Sequence, residues 1–67
     1  MKIHTLDVTE ENIKELTKEE LEDLEQRIDD HIFDLNLSDT YTSDIRNILD
    51  KLHNNRKIVI DRKKEME

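Results

Sequence analysis

Three histidines and a crowd of carboxylates are the side chains of this chain that could do chemistry. His53 follows Asp50 by three residues. On a helix that spacing sets a carboxylate and an imidazole on one face, the pairing with which carboxylate-bridged bundles share a metal. His31 directly follows Asp29 and Asp30. The stretch EELEDLEQRIDD places Glu19, Glu22, Glu25 and Asp29 on neighbouring turns, where acidic groups can carry magnesium for phosphate hydrolysis. Each reading lacks its counterpart. A bridged metal needs inward carboxylates from other helices, and those of residues 18–36 fall mostly on the outer face. Phosphate chemistry wants a second acidic motif, a Gly-rich loop or a nucleophile–base pair, and none is found. The carboxylates therefore read as a solvated acidic face that includes Glu22, Asp23, Asp30 and Asp34, and the histidines as boundary residues. No catalytic residue, metal site or cofactor is expected.

The stretch RKIVIDRKK interleaves basic and apolar residues and could touch phosphates or an acidic protein. The chain as a whole carries 11 Lys and Arg against 18 Asp and Glu, net −7. Such a molecule repels nucleic acid at long range, so direct nucleic-acid binding is disfavoured. Residues 1–50 hold five basic and fifteen acidic side chains, and residues 51–67 six basic and three acidic. That asymmetry favours a chain that reverses near residues 37–41 and returns its basic end (Arg56, Lys57, Arg62, Lys63, Lys64) to the acidic start of the first long helix.

The elements that position these groups are written in spacing and caps. The chain has no Gly, Pro or Cys. Positive-φ hairpin turns want Gly and helix breaks want Pro, so long helices joined by polar loops suit this composition. Disulfides and thiolate zinc sites are excluded. Within LTKEELEDL, Thr17 and Glu20 have the spacing of a capping box, and Leu16 with Leu21 that of a hydrophobic staple. Both devices start a helix at Lys18, with acidic residues in the first turns where the helix dipole favours them. From there Leu21, Leu24, Ile28, Ile32 and Leu35 recur at steps of three and four, one face of a helix, and Phe33 and Leu37 are read as widening it.

Ser38, Thr40, Thr42 and Ser43 are rival caps for the next helix. Its face runs through Tyr41, Ile45, Ile48, Leu52 and Val59, with Leu49 beside it and Asn55 as a polar interruption. The heptad phase survives the interruption, so one continuous helix is preferred over a strand at Ile58–Ile60, which β-propensity would allow. Tyr41 is read as closing the end of the hairpin core. Upstream, Thr9 can cap a brief helix bearing Ile13, and residues 1–8 read as an arm packing one or two apolar side chains.

The expected fold is all-α: an antiparallel hairpin within one domain, with an extended arm at 1–9, a short helix at 10–15 and long helices at 18–36 and 40–64. With 67 residues a core is marginal alone. Two helices cover only one stripe of each other, whereas these stripes are wide. The apolar interface expected from Leu21, Leu24, Ile28, Ile32, Phe33, Leu35, Ile45, Ile48, Leu49, Leu52 and Val59 thus calls for a second layer, most simply a second copy. No run approaches the ~20 apolar residues of a membrane span and no signal-peptide pattern opens the chain, so a soluble cytoplasmic protein is expected.

In outline the layout, with ELTKEEL opening it, resembles the helical hairpin of a large-subunit ribosomal protein. An RNA-binding hairpin is basic, however, and this chain is acidic. The expected function is a non-enzymatic, homodimeric interaction module that regulates or scaffolds another protein. The alternative is an acidic inhibitor, of a phage or mobile-element kind, that resembles nucleic acid and fills a basic cleft. A small metal-dependent hydrolase comes third.

The capping box makes the first prediction. Thr17→Ala should lower unfolding stability by about 1 kcal/mol, read as a reduced urea midpoint at unchanged slope.

Overall fold

The computed structural model describes residues 3–37 and 42–66. Two helices account for most of them: α1, Lys18–Asn36, and α2, Ser43–Met66. The described residues contain no strand, and α2 passes unbroken through Asn55 and the β-branched run Ile58–Ile60. No helix among them is long and apolar enough to cross a membrane.

The start of α1 has the geometry its sequence specifies. The Thr17 hydroxyl accepts from the Glu20 amide at 3.2 Å, and the Glu20 carboxylate accepts from the Thr17 amide at 3.1 Å. Leu21 is fully buried, with Leu16 packed against the same core. Of the rival caps for the second helix, Thr42 takes the role: its hydroxyl accepts from the Ile45 amide at 3.3 Å. Ser38, Thr40 and Tyr41, and with them the expected core role of Tyr41, lie outside the described residues.

The helices pack antiparallel. Lys63 of α2 reaches Glu25 of α1, and Arg56 reaches Asp29 further along, so the order of partners is opposite on the two helices. Leu21, Leu24 and Ile28 meet Leu52 and Val59 in the core, flanked by partly buried Ile32, Leu35, Ile48 and Ile58. Leu49 is buried and Ile45 partly so.

The layer expected from a second copy is supplied in part by the chain itself. Residues 3–16 fold back along the hairpin, burying Val8 and Ile13 and packing Ile3, Leu6 and Leu16 against the core. The longest dimension is 38 Å. A helix of 24 residues, the length of α2, spans about 36 Å by itself, so the arm adds width rather than length. Within residues 3–8 three apolar side chains (Ile3, Leu6 and Val8) are engaged, where one or two are expected of the arm.

The expected short helix at 10–15 is absent; those residues form consecutive turns. Thr9 does cap them. Its hydroxyl accepts from the Asn12 amide at 3.1 Å, and the Asn12 side chain accepts from the Thr9 amide at 2.9 Å. Beyond that, one i→i−4 bond (Ile13 N–H to Thr9 C=O) gives way to i→i−3 bonds from Lys14 and Leu16. Six residues cannot repay helix nucleation, and burial of Ile13, rather than a ladder, holds the segment.

The polar interruption in α2 is what fastens the arm. Asn55 is 2% exposed, and its Nδ2 donates to the Thr5 carbonyl at 2.7 Å. Thr5 Oγ1 lies 3.0 Å from His31 Nδ1 on α1, so residue 5 bridges both helices. Arg62 adds a third tie, donating from Nη2 to the Lys14 carbonyl at 3.2 Å. Replacing Asn55 by Ala should cost about 1–3 kcal/mol, because a part-buried carbonyl loses its partner. Amide hydrogen exchange at Val8 and Ile13 should accelerate more than at Leu24 or Leu52. Equal acceleration throughout would mean that Asn55 serves the hairpin and not the arm.

Candidate functional site

The groups that could have done metal chemistry are occupied or apart. Asp29 pairs with Arg56 at 2.6 Å, and the Asp30 carboxylate accepts from Gln26 at 3.2 Å. His31 is engaged with Thr5. His53 and Asp50 both stand on the exposed side of α2. Among the described residues no three His, Asp or Glu side chains come together as a metal site.

What remains is the outer face of α1. Successive helical residues are turned by about 100°. Leu21, Leu24 and Ile28 define the inward direction, and Glu19, Glu22, Asp23, Asp30, Phe33, Asp34 and Leu37 lie away from it. All seven are exposed. Phe33, expected in the interface stripe, is 62% exposed, and Leu37 is 64% exposed. Phe33 is one residue past Ile32, and that single step rotates it out of the stripe. Leu37 follows Phe33 by four residues, so the two side chains are neighbours on one face. The other exposed large hydrophobic residue among those described, Met66, sits at the far end of α2.

Charge sorts between the two sides of α1. The helix carries eight carboxylates against Lys18 and Arg27. Glu25 and Asp29 are taken by α2, with Lys63 Nζ 2.9 Å from Glu25 and Arg56 Nε 2.6 Å from Asp29. Asp23 pairs within the helix with Arg27 at 3.0 Å, and Glu20 serves the cap. Among the described residues, Glu19, Glu22 and Asp34 have no ion-pair partner. The four predicted acidic positions, Glu22, Asp23, Asp30 and Asp34, thus all reach solvent, as the helical period requires.

Beside this face, where the arm meets α1, lies a groove of about 310 Å³. Ile3, Leu16 and Leu24 form its apolar part, and Glu19, Asp23 and Arg27 stand at its polar side. An apolar floor with a mainly acidic edge suits the aliphatic stem and charged head of a lysine or arginine. The groove was not foreseeable from helix periodicity, because one wall belongs to the arm.

Compared with protein-family models, curated proteins and solved structures, the chain matches none.

The two cross-helix pairs differ in exposure, and that orders their energies. Glu25 and Lys63 are 20% and 21% exposed, whereas Asp29 and Arg56 are 44% and 42% exposed. Double-mutant cycles in urea should give a coupling of roughly 1 kcal/mol for Glu25–Lys63 and about half that for Asp29–Arg56. Salt at ~1 M, where the screening length is ~3 Å, should erase the second before the first.

Proposed function

We propose that this chain is a non-enzymatic protein–protein interaction module that works through the outer face of α1. The observation that carries the reading is the placement of Phe33 and Leu37. Two large apolar side chains stand in solvent on a helix whose opposite face is already packed. They contribute little to the fold, so a contact outside the chain is the use that explains them.

The partner we assign is a different protein. Apolar stripes as wide as these call for a further layer, and residues 3–16 take part of that role. A symmetric pairing through the outer face would also set Asp30 and Asp34 of one copy near those of the other, and like charges oppose it. The second reading, an acidic inhibitor that imitates nucleic acid, draws support from the exposed carboxylates at 22, 23, 30 and 34.

Affinity capture from the native cell, with the chain as bait, tests the module. A specific partner should be retained by the wild-type chain and lost by a variant reversed at Glu22, Asp23, Asp30 and Asp34. Retention in ~1 M salt, where charge attraction is screened, favours the module; complete release favours the nucleic-acid mimic. Light scattering at micromolar concentration should show a monomer, and a stable dimer there would reinstate self-association.

A further inference from the structure

From the same face we infer the chemistry of the partner: a basic amphipathic helix that lies along α1, sets apolar side chains on Phe33 and Leu37, and spreads cations over the carboxylates. This inference rests on the interaction-module reading and names the class of its partner. Phe33 is the only Phe of the chain, and it is 62% exposed near the C-terminal end of the acidic face, between Asp30 and Asp34. Asp30 is three residues before it, Asp34 one after, and Leu37 four after. The exposed charged residues from 19 to 37 are all acidic, and the half-buried Arg27 beside them is paired with one of them, Asp23.

Charge complementarity therefore selects a basic partner, and the apolar pair selects one with an apolar stripe. A helix satisfies both, since its i, i+4 spacing matches that of Phe33 and Leu37. From Glu19 to Leu37 the face is about 27 Å long, the length of roughly 18 helical residues. The groove beside Leu24 repeats the chemistry on a smaller scale, with apolar floor and acidic edge ready for one cation. Acidic groups alone would bind any polycation. Phe33 and Leu37 make the contact depend on the order of residues in the partner.

The test uses the full chain and a synthetic amphipathic peptide of about 18 residues, Lys on one side and Leu on the other. A scrambled peptide of equal composition is the control. Amide shifts on titration should concentrate at residues 19–37 on the outward positions. The double variant Phe33→Ala, Leu37→Ala, checked for native helicity, should bind the peptide at least about tenfold more weakly, as should wild type the scrambled peptide.

Equal binding of both peptides, or no effect of the double variant, would overturn the inference and leave only charge attraction. Shifts centred on α2 or the arm would overturn it too. So would a wild-type dimer in sedimentation that the double variant dissolves, because the occupant would then be a second copy. None of these outcomes touches the capture result, so the module can stand where its proposed partner chemistry fails.

Discussion

A single buried amide sets the terms for this molecule. Asn55 occupies a core position on α2, where the spacing of Leu52 and Val59 calls for an apolar side chain. A polar group there must find a partner or lose stability. Its partner is the Thr5 carbonyl, fifty residues away in sequence. A backbone group has one address, so this bond fixes where the arm lies and which of its residues face inward. Val8 and Ile13 then reach the core, and Thr5 also meets His31 on the other helix. A leucine at position 55 would bury more apolar area but would specify no register for the arm.

Charge sets direction where Asn55 sets register. The apolar stripes of α1 and α2 could meet in either orientation. The carboxylates of α1, densest in its first half, and the basic last half of α2 meet in opposite order along the two helices, as Lys63–Glu25 and, past the middle of α1, Arg56–Asp29 show. Lys63 and Lys64 also stand in the last turn of α2, where the helix dipole favours cations. Because α2 answers just two of the eight carboxylates of α1, the molecule keeps an acidic surface after its own pairing is complete.

What could be read from residues alone was whatever is local. The Thr17–Glu20 box fixed the start of α1, and its end fell at Asn36 as the apolar spacing implied. The antiparallel order followed from charge. Three things needed the third dimension. Residues 10–15 carry a valid cap at Thr9, but a cap cannot say that six residues will stop at turns. Phe33 looked like a broad stripe because it adjoins Ile32, although one residue of helix moves it far around the axis. Asn55 was legible as an interruption, not as a tether, because its partner lies in an irregular segment with no period to read. Had a polar residue at a core position been taken as a demand for a distant hydrogen bond, the arm would have been the segment available to meet it.

The arm also changes what a partner could gain. In a bare hairpin the strongest contact on offer would be the exposed edge of the core, and a second copy would be drawn to it. With Val8 and Ile13 seated there, part of that surface is already spent inside the chain. Among the described residues the large apolar side chains left in solvent are Phe33, Leu37 and Met66, and the first two stand side by side among carboxylates. Carboxylates speed and orient an encounter with a basic surface more than they hold it. Desolvation of an aromatic anchor at the centre of a contact is the larger source of grip. On α1 both sit on one face, with charge spread along the helix and the apolar pair near its C-terminal end. In the proposed contact a polycation without apolar groups would use the first and not the second, which would leave discrimination among basic partners to residues 33 and 37.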